Sequence, residues 1–465
     1  MLDKGDGTHK AQGMQTLRMG DFGMTGRIAA IFAALTFSAA AAAEDLHGVW
    51  RGVLATPAGE LRIEMEIGEE TAVLVSVDQG GARIEASEVD ADGVWFHAAF
   101  PALAASYEAE LDAGRLDGVF TQGGAALPLA LERGRFSDSA PDAQADPADI
   151  EMTVQSQGRL AGSLRLPDGQ GPFPAVLLLN GSGSQDRDAT VAGQPVFAVL
   201  AQALAEAGFA SLRLDDRGVG GSEAVAPESP RDLAADAAAA LSALRSRDET
   251  DPACVGVLGH SEGGLVAFLA AEAGADPAFI VTLAAPAASM RETLFEQAEA
   301  LNRASGATGE QIAANRALQQ AVFSAMETSD AQTAPQAIAE ALEAHGLEPD
   351  AARQQGAVWG QAYALAALDL DPAPAMAGYR GPVAALLAGR DLQVLPDQTA
   401  ARVEAARSGL ETRVEIVQGV NHLFQDAESG LPSEYAASPH AIAPQSLETI
   451  IEALEELTAQ GCPAR

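Results

Sequence analysis

The first periodic pattern in the chain is that of short strands. Residues 61–67, Leu-Arg-Ile-Glu-Met-Glu-Ile, alternate apolar and charged side chains, which is typical of a strand with one buried face. Residues 47–52 and 93–97 have the composition of further strands, and Asp-Gly and Gly-Gly pairs mark turns between such segments. We therefore predict a small all-β domain over residues 44–135, either a barrel or a sandwich.

A different pattern begins after residues 136–150, which are rich in Ser, Pro, Asp and Ala and are predicted to be a linker. In residues 151–465, apolar runs alternate with helical segments. The predicted strands are 151–165, 175–179, 210–214, 255–258, 279–283, 383–388 and 412–417, with helices at 195–207, 233–245 and 265–273. This alternation predicts an α/β fold, in which a mostly parallel sheet carries helices on both faces.

A long insertion of helical composition separates the strands at 279–283 and 383–388. Its helices are predicted at 291–295, 314–325, 336–344 and 358–368. Because it enters above the strand ends, residues 287–378 are predicted to form a helical cap over a pocket. Its larger side chains either line that pocket or, more often, pack the cap's own core; they are Met290, Phe295, Phe323, Trp359 and Tyr363.

The N-terminus has the pattern of an export signal. Residues 27–37 are apolar but short for a membrane span, a basic residue precedes them, and three alanines at 41–43 follow. We predict a signal peptide over residues 1–43, with an upstream extension ahead of Met19 or Met24. Cleavage before Glu44 would release a periplasmic or secreted protein without stable membrane insertion. The alternative is an N-terminal membrane anchor.

Composition limits the partners of the protein. The formal net charge is −37, from 65 acidic and 28 basic residues, which argues against nucleic acid and anionic membranes as partners. Neither Cys254 nor Cys462 has other candidate metal ligands at a suitable spacing in the sequence, so no metal site is predicted. A secreted compartment permits a disulfide between them, and two free thiols remain the equal alternative.

Residues 255–264, Val-Gly-Val-Leu-Gly-His-Ser-Glu-Gly-Gly, carry the most informative motif. Gly-x-Ser-x-Gly stands here between an apolar strand and an apolar helix. A serine that attacks an acyl carbon must project from a sharp turn, and the tight strand–helix approach needs small residues at Gly259 and Gly263. Ser261 is therefore the predicted nucleophile; an ordinary serine in a strand–helix turn is the alternative.

A general base and an acid should follow such a serine along the chain. His422 lies in the loop after the strand at 412–417, and it is favoured as the base over His440. Asp391 ends the apolar run at 383–388, where it would orient the imidazole and stabilise it once protonated. Asp397 is the second candidate, although it could be only a charge at a helix N-terminus.

The reaction also needs two backbone N–H groups directed at the developing oxyanion. One is predicted at Glu262, directly after the nucleophile. The other is predicted at Ser182, with Gly183 second, in the Gly/Ser loop that follows the strand at 175–179.

Four further segments resemble a known family. Residues 180–188, Asn-Gly-Ser-Gly-Ser-Gln-Asp-Arg-Asp, resemble the His-Gly-Ser-Gly-Pro-x-Asp-Arg-Asp stretch of a bacterial secreted carboxylesterase family of the α/β-hydrolase superfamily. Residues 215–222 resemble that superfamily's Asp-x-Arg-Gly-x-Gly-x-Ser loop, and residues 389–394 and 421–425 resemble its acid and histidine loops. The order along the chain is the same.

The resemblance covers about residues 151–457 and has two departures, Asn180 for histidine and Ser184 for proline. It implies an α/β-hydrolase fold with a helical cap, preceded here by the all-β domain. The expected activity is hydrolysis of short-chain carboxylic esters through an acyl-enzyme, without metal or organic cofactor and with a small-molecule ester as partner. Alternatives are a serine peptidase or thioesterase, or a non-catalytic binder, which has no need of all three catalytic residues.

Overall fold

The computed structural model describes residues 46–56, 59–68, 71–76, 82–91, 94–103, 105–112, 114–122, 125–135 and 149–462. The predicted signal peptide and nearly all of the predicted linker lie outside these ranges. Within them, no helix combines the length and hydropathy needed to cross a membrane.

The N-terminal strands that the structure describes form one nine-stranded antiparallel sheet. They are β1 Gly48–Thr56, β2 Gly59–Ile67, β3 Ala72–Ser76, β4 Ala82–Glu85, β5 Glu88–Ala91, β6 Trp95–Phe100, β7 Ala105–Asp112, β8 Arg115–Gln122 and β9 Ala125–Arg133, in the order β4-β3-β2-β1-β9-β8-β7-β6-β5. The two outermost strands are consecutive in the chain. The Ala86 N–H donates to the Ala72 carbonyl of β3 and the Ser87 N–H to the Ala99 carbonyl of β6, so the sheet curls until its edges meet.

Apolar side chains fill the inside of this curled sheet. Trp50, Met65, Phe96 and Phe100 are fully buried, as the alternating pattern requires. The buried Tyr107 hydroxyl lies 3.2 Å and 3.1 Å from the carbonyl oxygens of Leu116 and Leu129, which satisfies its polar end. The domain therefore has a hydrophobic core of its own.

Residues 149–462 contain an eight-stranded sheet in the order β10-β11-β15-β12-β16-β17-β18-β19. Its strands are β10 Asp149–Gln155, β11 Arg159–Arg165, β12 Phe173–Leu179, β15 Ala210–Leu214, β16 Thr250–His260, β17 Ile280–Leu283, β18 Val383–Ala388 and β19 Thr412–Val417, with a separate hairpin of β13 Thr190–Val191 and β14 Gln194–Pro195. The strand β11 pairs antiparallel with both β10 and β15. The remaining neighbours in the sheet, from β15 through β12 and β16 to β19, pair parallel. The central strands are buried throughout, as their continuous apolar sequences predict.

The helices of this region are α1 Val196–Glu206, α2 Pro230–Arg245, α3 Glu262–Glu272, α4 Met290–Ala304, α5 Gly309–Glu327, α6 Ala334–Ala344, α7 Pro349–Trp359, α8 Ala362–Ala367, α9 Ala373–Gly378, α10 Pro396–Ala406 and α11 Pro444–Gly461. Two large apolar clusters pack helices against the sheet. The helices α4 to α9 lie in the long connection between β17 and β18, where the cap was predicted.

The prediction of one helix over residues 358–368 is wrong. The chain forms α7 and then the short helix α8, with a break at Gly360. A Cβ atom at Gly360 would lie 2.7 Å from the ring of Pro335 in α6, so this position requires glycine, which is poorly suited to a helix interior.

The cap has a small core and a polar connection to the sheet domain. Phe323 is buried in that core, and Phe295 and Trp359 pack against it. Arg402 of α10 forms two hydrogen bonds with the Glu296 carboxylate of α4, at 2.9 Å and 2.6 Å. This pair fixes the first cap helix to the body of the domain.

Cys254 and Cys462 form a disulfide. It links β16 to the residue that follows α11 across 208 positions of sequence. Of the two alternatives left open by the sequence, the structure contains the bridge.

Candidate active site

The turn at Ser261 has the geometry of a nucleophile elbow. The strand β16 ends at His260, α3 begins at Glu262, and Ser261 between them has φ +52° and ψ −123°. A non-glycine residue with positive φ is uncommon and is held only where the surroundings enforce it. A Cβ atom at Gly259 would lie 2.2 Å from the Gly263 carbonyl oxygen, so the close strand–helix approach depends on this glycine.

His422 and Asp391 form a buried pair. Nδ1 of His422 lies 2.7 Å from Oδ2 of Asp391. The other carboxylate oxygen, Oδ1, accepts the backbone N–H groups of Gln393 at 2.7 Å and Val394 at 3.0 Å. Because a carboxylate held in this way accepts from Nδ1–H, it leaves the Nε2 lone pair of the imidazole free to take a proton.

His260 connects this pair to the serine. Its Nε2 lies 2.9 Å from the His422 carbonyl oxygen, and the two imidazole rings are 4.8 Å apart. A carbonyl only accepts, so His260 donates through Nε2–H. Burial lowers the pKa of His260 to about 4, which keeps this ring neutral beside His422. Ser261 directly follows His260, so the serine lies at the same carboxyl end of the parallel strands as the His422–Asp391 pair.

The second-choice residues lie elsewhere. His440 is exposed in a loop, and Asp397 is exposed in the first turn of α10. The other histidine that follows Ser261 in the sequence, His345, is exposed at the end of α6, with its Nδ1 2.9 Å from the Ala341 carbonyl oxygen.

A cavity of about 330 Å³ lies beside the elbow. Its lining includes Glu262 and Gly263 from the start of α3, with apolar side chains from the sheet and α2; the latter are Leu160, Leu178, Leu214 and Leu233. The N–H of Glu262, at the first residue of a helix, has no partner within that helix and is available to an oxyanion.

The predicted second oxyanion donor is less clearly placed. Ser182 is exposed and is not among the lining residues, whereas Gly181 and Gly183 are. Gly181 packs against Ser261, because a Cβ atom at Gly181 would lie 3.2 Å from Cβ of Ser261. The Ser182 N–H, one peptide further on, stays a prediction.

The structure shows a half-buried carboxyl group that was not among the predicted site residues. Asp216 accepts the Gln185 N–H at 2.8 Å and the Asn180 side-chain amide at 3.2 Å, and burial raises its pKa to about 7. Asn180, one of the two departures from the family pattern, therefore contacts Asp216 directly. Two features of the sequence point to this group. Asp216 is the second aspartate of the loop at 215–222, and its partner Asn180 departs from the family pattern.

Glu262 is another carboxyl group of the cavity lining, and like Asp216 it has no ion pair with an arginine among the described residues. Burial raises its pKa, and the Tyr363 hydroxyl of α8 donates to its Oε1 at 2.7 Å. Of the five cap side chains proposed for the pocket, Tyr363 lines this cavity, whereas Phe295, Phe323 and Trp359 pack in the cap core. Met290 is not among the lining residues.

Ion pairs support two of the loops that carry the family resemblance, those at 180–188 and 215–222. Arg187 donates to both oxygens of Asp215, at 3.1 Å and 2.8 Å. Arg217 forms a similar pair with Asp236 of α2, at 2.6 Å and 2.9 Å. These buried pairs explain the Asp-Arg-Asp and Asp-x-Arg sequences as supports of the site. No group of side chains suited to holding a metal ion occurs in the described ranges.

The doubly covered parallel sheet and the strand–serine–helix elbow define the protein as an α/β-hydrolase. Residues 195–427, half of the chain, match the family described as "serine aminopeptidase, S33", and the chain belongs to this family of α/β-hydrolases. It is a serine hydrolase by fold and family, as the resemblance implied.

Individual relatives differ in activity. The esterase EstD of Thermotoga maritima is 33% identical over 156 residues, which are 33% of this chain and 36% of the relative, so the match spans about a third of the relative's length. A proline iminopeptidase structure from Mycobacterium smegmatis is 17% identical, with a TM-score of 0.44 over 67% of this chain and 99% of that one. A thermophilic esterase from Thermogutta terrifontis is 16% identical, with a TM-score of 0.38 over 68% and 100%.

Proposed function

We propose that the protein is a serine esterase that hydrolyses short-chain carboxylic esters through an acyl-enzyme. Ser261 attacks the acyl carbon, while His422 takes the serine proton and then donates it to the leaving alcohol. Asp391 holds the imidazole tautomer, and the N–H groups of Glu262 and Ser182 bind the oxyanion. In the second half, His422 activates water, which releases the acid. The observation that carries the proposal is the His422–Asp391 pair beside a serine held at positive φ.

The size of the cavity supports a small ester as substrate. At about 330 Å³ it lies at the lower end of the range of roughly 300–1,000 Å³ for small-molecule sites. Its apolar walls suit a short acyl chain of about two to six carbons. An alcohol is also a better leaving group than an amine, and the matched relative from Thermotoga maritima is named an esterase.

An aminopeptidase is the second candidate, because the cavity lining includes the half-buried carboxyl groups of Glu262 and Asp216. Neither forms an ion pair with a described arginine, so a substrate ammonium group could pair with them. The family description and the named iminopeptidase also point to this reaction.

Export is part of the proposal. A disulfide persists in oxidising compartments, so the Cys254–Cys462 bridge supports a periplasmic or secreted location. The measurement is the intact mass of material from a bacterial periplasm, which should correspond to a chain that begins at or near Glu44. Retention of residues 27–37 would favour the membrane anchor.

The activity is tested in two steps on one preparation. A fluorophosphonate probe should label the wild-type protein and leave Ser261→Ala unlabelled; equal labelling of both would remove Ser261 from the proposal. The kcat/KM values of aryl esters with acyl chains of two to six carbons are then compared with those of aminoacyl and dipeptidyl amides. An amide that exceeds the best ester tenfold, about 1.4 kcal/mol in transition-state stabilisation, would make the protein a peptidase.

A further inference from the structure

Tyr363, in α8 of the cap, contacts Glu262 in the turn that contains Ser261. We propose that it is a positioning residue: its hydroxyl holds Glu262, and through Glu262 it sets the oxyanion hole, while its ring limits the length of the acyl group. The inference deepens the proposed esterase function and rests on it.

The contact is direct and spans a long stretch of sequence. The Tyr363 hydroxyl donates to Oε1 of Glu262 at 2.7 Å, across 101 residues. Glu262 is the first residue of α3 and follows Ser261 directly. Its N–H is therefore carried by the same residue whose side chain Tyr363 holds. A hydrogen bond from a hydroxyl group to a carboxylate is strong and directional, so it restricts the orientation of this residue.

The Tyr363 hydroxyl is the hydrogen-bond donor that satisfies the Glu262 carboxylate. No other hydrogen bond to the Glu262 carboxylate occurs within the described parts of the chain. A buried carboxylate that loses its donor is destabilised, and it moves or takes up a proton. Either response alters the turn that presents the oxyanion donor, and a misplacement of about 1 Å at a reacting centre can cost roughly 100-fold in rate.

The cap does not need Tyr363 to stay in place. The Glu296–Arg402 pair fixes α4 to α10, and the buried cluster around Phe323 and Ile338 holds the cap helices together. Loss of the Tyr363 hydroxyl should therefore leave the fold intact and change the chemistry, whereas loss of the Arg402 pair should loosen the cap and leave the Glu262 contact.

The ring of Tyr363 has a separate effect. With Gln361 it is the contribution of the cap to the lining of the cavity, which also includes Leu160, Leu178 and Leu233. Removal of the ring adds space at this end, so longer acyl chains should fit. Phenylalanine keeps the ring and removes only the hydroxyl, so the two effects can be separated.

The test measures kcat and KM of Tyr363→Phe, Tyr363→Ala and wild type for esters of increasing acyl length. Tyr363→Phe should lower kcat about tenfold for every ester, with KM within about twofold and the same preferred length. Tyr363→Ala should in addition shift the preference to longer chains by two or more carbons. Unchanged kcat in Tyr363→Phe, or an unchanged length preference in Tyr363→Ala, would refute the corresponding half of the proposal.

Glu262 variants test the same contact from the other side. Glu262→Gln keeps an oxygen that accepts from Tyr363, so it should retain more activity than Glu262→Ala. Adding Tyr363→Phe to Glu262→Ala should then produce no further loss, because the partner is already absent. Additive losses would show that Tyr363 does not act through Glu262.

Arg402→Gln is the matched control, since it breaks a cap contact away from the elbow. It should change kcat less than twofold; a loss equal to that of Tyr363→Phe would reduce Tyr363 to a general anchor of the cap. The rate of fluorophosphonate labelling reports the same oxyanion hole without any ester. If wild type labels but hydrolyses no ester, the esterase proposal fails, and the labelling rates of the variants still decide the role of Tyr363.

Discussion

At the scale of single residues, the site depends on which buried groups are charged. His260 is neutral because burial lowers its pKa to about 4, so it can donate to the His422 carbonyl without adding a second cation. Asp216 is a carboxyl group whose pKa burial raises to about 7. The order of Ser261, Asp391 and His422 could be predicted from the sequence, because each follows a recognisable apolar strand. The contact of Glu262 with Tyr363 could not, because it depends on how the cap folds back.

Asp391→Asn should lower kcat by about 10³–10⁴ with little change in stability. The amide would present a donor or a weaker acceptor to Nδ1 of His422 and so favour the wrong tautomer. Steady-state kinetics on a short aryl ester provide the measurement, and Asp397→Asn is the control, expected within a few-fold of wild type. Comparable losses in both variants would contradict the assignment of the acid.

The Asp216→Asn variant should become increasingly more stable than the wild-type protein as the pH rises. The folded pKa lies above the unfolded value, so the native state holds a proton that the unfolded chain has lost between about pH 4 and 7. The contribution of Asp216 to the unfolding free energy of the wild-type protein therefore falls as the pH rises from about 4 to 7, and it is lost above about pH 7. The difference in unfolding free energy should change by about 2–3 kcal/mol between about pH 5 and 8.

Denaturant midpoints at the two pH values give this difference. His260 titrates with the opposite sign, since its folded pKa is lowered, but it is the same in both proteins and cancels in the comparison. A variant that gains nothing at the higher pH would mean that Asp216 ionises freely in the folded protein.

At the scale of elements, the strands of the parallel sheet were predictable, whereas the helices α7 and α9 between β17 and β18 were not. The segments at 210–214, 383–388 and 412–417 form strands with the predicted bounds, because buried strands need continuous or alternating apolar residues. The helix α7 was missed because its buried face consists of Ala352 and Gly356. Such small residues produce no apolar periodicity, although they allow α6 and α7 to pack closely.

Replacing both cysteines with serine should destabilise the domain by about 2–5 kcal/mol, because the bridge closes a long loop in the unfolded chain. Chemical denaturation with and without reductant provides the measurement. Reductant should lower the wild-type midpoint to that of the variant and leave the variant unchanged, and the intact mass should increase by about two units on reduction. Equal midpoints throughout would contradict a structural role of the bridge.

At the scale of the whole molecule, negative charge dominates. A net charge of −37 on a chain with 28 basic residues makes the compact state repel itself, even though many arginines are paired with carboxylates. The same excess discourages association with polyanions. The N-terminal sheet and the hydrolase domain each have their own apolar core, so this repulsion acts on both.

Added salt should therefore raise the apparent unfolding temperature. Between about 0.01 M and 0.15 M ionic strength the Debye length falls from about 30 Å to about 8 Å, which screens the general repulsion more than it weakens close, partly buried pairs. Thermal scans in sodium chloride at constant pH test this expectation. A lower unfolding temperature in salt would show that the ion pairs outweigh the repulsion.

The Cys254–Cys462 bridge also changes the topology of the molecule. The chain between the two cysteines becomes a covalent ring, and that ring contains Ser261, Asp391, His422 and the entire cap. A single peptide-bond cut anywhere in the cap would then open the ring without separating the pieces. Ser261 on one fragment and His422 on the other would stay in one molecule, and a reducing gel would separate the two fragments. New termini could thus be placed in a cap loop without dividing the catalytic residues between two molecules.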